Sequence, residues 1–256
     1  MNHQTGTREE WLAARRKLLA REKALTRERD AIAAERRALP WVKVEKNYVF
    51  DSTNGKIALA ELFQKRSQLM IYHFMFGPDW KEGCPGCSFI ADHVDAARQH
   101  FEHDDLSFAA VSRASVEQIE AYKKRMGWKF QWVSSLNSDF NYDFHASFPK
   151  NELEAGPIEY NFKKEKSTME ELHGESMFFK DADGTIFHTY SSYARAGEDL
   201  LGAYRFLDLA PLGRNEGPDG NMGKWMRRHD QYGTRAIFFS PGQNQKLRPV
   251  ELARGF

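Results

Sequence analysis

The chain has 256 residues, of which 41% are hydrophobic and 29% are charged, and its formal net charge is +1. This composition predicts a globular protein with a sizeable core. A net charge so close to zero gives no reason to expect a nucleic acid or an acidic membrane surface as a partner. The charged N-terminal segment contains no apolar stretch of the kind found in secretory signals, and the apolar run at residues 69–77 is too short to span a bilayer. We therefore expect a cytoplasmic protein.

Residues 7–39 predict one long helix, which begins at a capping box formed by Thr7 and Glu10 and ends before Pro40. Apolar residues recur at every seventh position: Trp11, Leu18, Leu25, Ile32 and Leu39. The other core position of the heptad holds charged residues, so the apolar stripe is narrower than a two-stranded coiled coil requires. We expect the stripe to pack on the core of its own domain or of a partner. A dimer arm is the alternative.

After Pro40, strand-like and helix-like patterns alternate along the chain. The predicted strands lie at residues 42–50, 68–76, 106–111 and 130–134, with a short element at 57–63 and a hairpin at 177–190; the predicted helices follow residue 87 and occupy 115–126 and 200–209. Residues 135–175 form a long aromatic and polar insertion, which we expect either to cover the functional site or to pack on the edge of the sheet.

Both cysteines of the chain lie in one unit, Cys84-Pro85-Gly86-Cys87, between a buried strand and a helix. The N-terminus of a helix directs free backbone N–H groups and the positive end of the helix dipole at Cys84, which favours its thiolate. Pro85 suits the first turn because its missing N–H would have no partner there. Cys87 follows one turn later on the same face. The unit predicts a thiol–disulfide oxidoreductase in which Cys84 attacks and Cys87 resolves.

The order strand, C-x-x-C, helix, strand, helix, strand, hairpin and helix is that of the thioredoxin fold. We therefore expect an α/β domain at residues 41–212, with a central mixed sheet flanked by helices. The helical arm at residues 1–40 precedes this domain, and a C-terminal extension at residues 213–256 follows it. The substrate would be a protein or small-molecule disulfide, and a homodimer is possible.

Two other classes of function compete with the redox interpretation. Structural zinc needs a second pair of ligands at close spacing, and the chain has no further cysteine. Copper delivery would use Cys84, Cys87 and a histidine. We expect no metal and no cofactor. A binding module that keeps the fold without turnover is the remaining alternative.

Several residues near the motif are candidates for supporting roles. His73 lies in the strand that leads to the motif, where it would either accept the proton of Cys87 or serve as a hydrogen-bonded core histidine. Asp79 and Trp80 lie in the approach loop, where they would either shape the pocket or cap and pack the loop.

Long segments of the chain resemble a bacterial family of thioredoxin-like proteins of unknown function. The resemblance rests on residues 11–46, on Tyr72–Trp80 and Gly83–Ser88, and on His188–Ser191. It extends through residue 230. The family is related to alkyl hydroperoxide reductase and thiol-specific antioxidant proteins, which implies a thioredoxin-like fold and makes a thiol peroxidase the alternative within the redox class.

Three positions depart from the patterns of the better-known relatives. Lys81 occupies the place of the peroxiredoxin threonine that orients the peroxide, which predicts slow peroxide turnover. Gly83 stands where thioredoxins have tryptophan before the first cysteine. The stretch that ends at Ser176, ahead of the strand facing the dithiol, lacks the proline that shapes the thioredoxin peptide groove. This last difference argues against general reduction of protein disulfides.

Overall fold

The computed structural model describes residues 4–216 and 225–233. The strands are β1 (Val42–Lys43), β2 (Val49–Ser52), β3 (Gly55–Ala58), β4 (Gln68–His73), β5 (Leu106–Ser112), β6 (Gln131–Ser134), β7 (Ile158–Tyr160), β8 (Lys163–Glu165), β9 (Gly174–Lys180) and β10 (Ile186–Tyr193). The helices are α1 (Arg8–Ala38), α2 (Leu59–Leu62), α3 (Pro85–His103), α4 (Val116–Met126), α5 (Phe140–Asp143), α6 (Lys150–Ala155) and α7 (Gly202–Leu209), with 3-10 helices at Ala194–Leu200 and His229–Gln231. Residues 217–224 and 234–256 of the predicted C-terminal extension lie outside the described residues.

Eight strands form one mixed sheet in the order β1-β10-β9-β4-β5-β6-β2-β3. Strands β4 and β5 are parallel and are joined by α3, while β9 pairs antiparallel with both β4 and β10. The order β5-β4-β9-β10, with α3 crossing between the two parallel strands, is that of the thioredoxin fold. The predicted α/β class is confirmed.

The sheet has a core on each face, because successive side chains of a strand point to opposite sides. Tyr72 of β4 belongs to the core that packs beneath α3, α4 and α7, together with Cys87. Ile71 belongs to the second core on the other face, together with Phe140 of the insertion. The start of the insertion, around Phe140, therefore packs against the face of the sheet opposite the dithiol.

Helix α1 begins at the predicted Thr7–Glu10 capping box, but it buries none of its residues. The apolar residues of the seven-residue stripe are between 38% and 53% exposed. The prediction that this stripe packs on the core of its own domain is wrong, because charged side chains at the second heptad position leave too narrow an apolar surface to bury. In the described part of the chain, no helix is both long and apolar enough to cross a membrane.

Deletion of residues 1–39 should leave the melting temperature unchanged to within about 2 °C, because removing exposed side chains costs little hydrophobic free energy. Thermal unfolding of the truncated and full-length proteins tests this. A fall of about 5 °C or more would show that the stripe is covered, and a smaller number of chains per particle for the truncated protein than for the full-length protein would show that a second copy covers it.

Candidate active site

The dithiol lies at the N-terminus of α3, after the loop that follows β4. Cys84 is the N-cap residue of α3, with φ −54° and ψ 134°, and Pro85 is the first helical residue. The Cys84 N–H donates to the Met75 carbonyl at 3.0 Å, and the Cys84 carbonyl accepts from the Ser88 N–H at 2.9 Å. These bonds fix the start of the helix against the end of the strand. Both cysteines are free thiols, with Cys84 half-buried and Cys87 buried.

The surroundings of Cys84 favour its thiolate. A hydrogen bond from the Cys87 side chain is the largest cause that lowers the pKa of Cys84, to about 6. Burial opposes this shift, while the backbone N–H groups of Cys87 and Gly86 and the positive charge of Arg228 support it. Cys84 is therefore a ready nucleophile at neutral pH.

The pKa of Cys87 is shifted in the opposite direction. Burial raises its pKa well above the usual value, and the hydrogen bond and charge of Cys84 raise it further. Its sulfur accepts a hydrogen bond from the Met75 N–H at 3.4 Å. The Tyr72 hydroxyl lies close enough to lower the pKa of Cys87, although it forms no hydrogen bond of good geometry with a described group. Cys87 thus remains a thiol that donates to the Cys84 thiolate.

The C-terminal segment (residues 225–233) folds back onto the start of α3 through Arg228. The Arg228 Nη2 donates to the Gly83 carbonyl at 2.6 Å, and its Nε donates to the Tyr122 hydroxyl at 2.8 Å. Its Nη1 forms an ion pair with Glu82 at 2.9 Å. The Arg228 side chain is 12% exposed. A positive charge is thus fixed beside Cys84 by a residue far away in the sequence.

Two apolar side chains of the C-terminal segment cover the same end of α3. Met226 is buried, and its Cε lies 3.4 Å from the position that a Cβ on Gly86 would occupy; Cys84 Sγ lies 3.7 Å from that position. The Trp225 ring packs edge-on against Phe89, with centroids 5.9 Å apart. This segment therefore narrows the approach to the Cys84 sulfur.

Residues 1–232 match the model of a family described as bacterial protein of unknown function (DUF899). The chain belongs to that family. A search of curated proteins found no match.

Several solved structures are similar to part of this DUF899 chain. A cysteine-to-serine mutant of PrxQ from Xylella fastidiosa is 13% identical, with a TM-score of 0.41 over 63% of this chain and 89% of its own. A mutant of peroxiredoxin Q from Xanthomonas campestris is 17% identical, with a TM-score of 0.40 over 68% and 94%. The peroxidoxin BcpB from Mycobacterium tuberculosis is 16% identical, with a TM-score of 0.41 over 65% and 98%. Similarity of this size carries no information about the reaction.

His73 and Ser176 lie on the face of the sheet opposite the dithiol of this DUF899 protein. The His73 Nδ1 bonds with Asn141 Oδ1 at 3.1 Å, and its Nε2 bonds with Ser176 Oγ at 2.9 Å. The His73 ring stacks on Phe140, and burial lowers its pKa to about 4. The structure therefore agrees with a neutral core histidine and does not support His73 as the proton acceptor of Cys87.

The approach-loop residues line a cavity of about 270 Å³ between Gly77–Trp80 and residues 168–171 of the insertion. Asp79 and Lys81 are exposed, whereas Trp80 is half-buried against the core and accepts a hydrogen bond from Gln118 Nε2 at 3.1 Å. Asp79 and Trp80 thus line a cleft between the approach loop and the insertion.

A larger cavity of about 470 Å³ lies on the His73 face of the sheet. Its lining includes Tyr48, Phe144 and His188 and contains neither cysteine. Within residues 4–216 and 225–233, no three His, Cys, Asp or Glu side chains are grouped as a metal site. In this part of the chain, no histidine therefore groups with Cys84 and Cys87 as copper delivery would require.

Sequence reasoning missed Tyr72, Glu175 and Arg228 as residues of this site. Glu175 of β9 is only 4% exposed and lies opposite Tyr72 in the sheet register. Burial raises the pKa of Glu175 to about 7, although its Oε2 accepts a hydrogen bond from Ser192 Oγ at 3.0 Å. The one sequence signal for Glu175 is a glutamate among the apolar residues of a buried strand.

Proposed function

We propose that this protein is a thiol–disulfide oxidoreductase that uses Cys84 and Cys87. The supporting observation is the opposite character of the two sulfurs. Cys84 is half-buried and favours its thiolate, while the buried Cys87 remains a thiol and donates a hydrogen bond to it. One sulfur can therefore attack and the other can resolve, without a metal or an organic cofactor.

In the first step, the Cys84 thiolate attacks one sulfur of a substrate disulfide. A bond forms between Cys84 and that sulfur, and the other substrate sulfur leaves as a thiolate. Cys87 then attacks Cys84, gives up its proton and releases the second substrate sulfur as a thiolate. The substrate gains two electrons and the dithiol becomes a disulfide. An external thiol, such as those of a reducing cytoplasm, restores the dithiol.

The test is steady-state reduction of hydroxyethyl disulfide by the purified protein, with glutathione as the reductant. We expect turnover above the uncatalysed rate, and the Cys84→Ser variant should return the rate to background because no nucleophile remains. A wild-type rate no higher than that of Cys84→Ser would favour the binding-module alternative.

A second experiment measures oxidation of the reduced protein by hydrogen peroxide in a stopped-flow instrument. Lys81 replaces the residue that orients peroxide in peroxiredoxins, so we expect peroxide to react more slowly than the disulfide. Peroxide consumption much faster than disulfide reduction would assign the protein to the peroxidase alternative. Elemental analysis showing one metal per chain, lost in Cys84→Ser, would favour metal binding.

A further inference from the structure

A chain of hydrogen-bonded side chains crosses the core on the face of the sheet opposite the dithiol. The bonds run from Asn141 to His73, Ser176, Ser191 and His188 in turn, with distances of 3.1, 2.9, 2.9 and 2.8 Å. The first four of these residues are each at most 8% exposed. Buried polar groups destabilise a core unless they are hydrogen-bonded, and a complete chain of bonds holds its members in fixed positions. Neither cysteine is part of this chain.

A bulge in β10 directs the His188 end of the chain. Residues three apart in a regular strand face opposite sides of the sheet, so His188 and Ser191 would ordinarily be separated. The pairing of β10 with β9 shifts between His188 and Tyr190, which leaves Thr189 as an extra residue. The extra residue brings the side chains of His188 and Ser191 to the same face. Bulges that redirect side chains in this way are frequent next to functional sites.

His188 and Ser191 lie in the wall of the 470 Å³ cavity. Four aromatic side chains also line this cavity: Tyr48, Phe144, Phe162 and Tyr193. The Phe144 ring packs edge-on against His188, with centroids 5.2 Å apart, and Phe162 packs edge-on against Tyr193 at 5.6 Å. The two tyrosine hydroxyls already donate hydrogen bonds, to Asp143 Oδ2 at 2.7 Å and to the Phe144 carbonyl at 2.9 Å. Aromatic walls with a few placed polar groups, in a cavity of this size, are typical of a small-molecule site.

The charges around the cavity disfavour an anionic ligand. The charged groups of its lining are three carboxylates and two ammonium groups: Glu45, Asp143, Glu159, Lys43 and Lys46. Both ammonium groups are already paired, Lys43 with Glu45 at 3.2 Å and Lys46 with Asp143 at 2.8 Å. Burial lowers the pKa of His188, so its ring adds no positive charge at neutral pH. The polar wall, a hydroxyl and a neutral imidazole, therefore favours an uncharged ligand.

We propose that this cavity binds an uncharged phenol, whose ring packs among the aromatic side chains and whose hydroxyl bonds with Ser191 and His188. Aromatic rings attract one another in edge-on and offset arrangements, such as those already present in the walls. A hydroxyl both donates and accepts hydrogen bonds, so it can continue a chain of serines and histidines in either direction. The proposal is independent of the reaction at the dithiol, because both cysteines belong to the core on the other face of the sheet.

Equilibrium dialysis of the full-length protein against 2-naphthol tests this proposal. Phenols ionise only near about pH 10, as the tyrosine side chain does, so this probe is uncharged at neutral pH. We expect one 2-naphthol per chain with a Kd of about 0.1 mM or below, a value reasonable for a ligand of this size. Naphthalene lacks the hydroxyl and should bind about threefold or more weakly. The anion 2-naphthoate should bind about tenfold or more weakly, because its charge finds no free cation in the cavity.

Two variants place the bound phenol in this cavity. Ser191→Ala removes the hydroxyl from the polar wall and should weaken 2-naphthol by about fivefold while leaving naphthalene unchanged. Phe162→Ala removes one aromatic wall and should weaken both compounds; its side chain is 74% exposed, so the fold should persist. The matched control is Phe206→Ala, which removes a ring that is 77% exposed on α7, outside the cavity. It should leave the Kd of both compounds unchanged.

Three results would overturn the proposal. The first is the absence of 2-naphthol binding to the wild type, or binding that neither Ser191→Ala nor Phe162→Ala weakens. The second is naphthalene binding as tight as that of 2-naphthol, which would show that the polar wall takes no part. The third is tighter binding of 2-naphthoate, which would make the ligand an anion. None of these results bears on the proposed oxidoreductase function.

Discussion

Replacing Cys87 by serine should leave the protein covalently bound to its substrate. Cys84 keeps its place at the N-terminus of α3, where the free N–H groups of the first turn favour its thiolate, so attack proceeds. The resolving thiol is gone, and the mixed disulfide on Cys84 persists. Without added glutathione, which could resolve this mixed disulfide itself, the second substrate thiolate should not be released. Mass spectrometry of the intact protein after exposure to a disulfide should show one adduct per chain.

The control is Cys84→Ser, which removes the attacking thiol and should trap nothing. Cys87 is buried and its pKa is raised, so it is a poor nucleophile on its own. Adducts on Cys84→Ser but not on Cys87→Ser would mean that the two roles are reversed.

The opposite pKa shifts of Cys84 and Cys87 predict a pH dependence for alkylation by iodoacetamide. The lowered pKa of Cys84, about 6, means that its thiolate fraction and its alkylation rate rise as the pH increases through that value. Cys87→Ala removes the hydrogen bond that lowers this pKa most, so the rise should move toward the ordinary thiol value of about 8.5. An unchanged profile in Cys87→Ala would show that the helix N-terminus alone sets the reactivity.

Replacing Gly83 by alanine, which adds a single methyl group, should both destabilise the protein and raise the pKa of Cys84. A Cβ on Gly83 would lie 2.6 Å from Phe74 Cε1 and 2.9 Å from Tyr122 Cε1, inside a packed aromatic core. Overpacking of this kind costs about 1–3 kcal/mol, which lowers the melting temperature of a chain of this size by roughly 3–10 °C. The Gly83 carbonyl would also move away from Arg228, so we expect the pKa of Cys84 to rise.

Gly86→Ala is the matched control for Gly83→Ala. Its new Cβ would make only ordinary or slightly tight contacts, 3.4 Å from Met226 Cε and 3.7 Å from Cys84 Sγ. Alanine also favours the helix over glycine by about 0.5–1 kcal/mol. Thermal unfolding of the two variants should therefore differ in sign or clearly in size. Equal losses would show that the aromatic rings at Gly83 can move aside.

The parts of the fold that depend on local patterns could be predicted from the sequence. The Thr7 capping box, the strand β5 and the left-handed Gly127 that ends α4, with φ 71°, all follow from residues within a few positions. The placement of Cys84 at a helix N-terminus follows in the same way. In contrast, the alternating run at residues 42–50 is interrupted between β1 and β2, because these strands pair with opposite ends of the sheet.

The side of the sheet that each residue faces could not be predicted, because it depends on the register among strands far apart in the sequence. His73 and Tyr72 are neighbours in β4, yet only Tyr72 reaches the dithiol. Glu175 and Ser176 are separated in the same way on β9. A shift of one residue in the register exchanges all of these roles. His73, the candidate proton acceptor, is thus one position away from Tyr72, which belongs to the same core as Cys87.

The contact of Arg228 with Gly83 joins residues 145 positions apart. During synthesis from the N-terminus, the helix that carries both cysteines is made long before the arginine that packs on its first turn. A nascent chain can form the sheet and α3 while the guanidinium beside Cys84 is still missing. Its thiol is then less acidic than in the finished protein, because the charge of Arg228 helps to lower the pKa of Cys84. The full thiolate character of Cys84 is therefore acquired only late in folding, after the rest of the domain has formed.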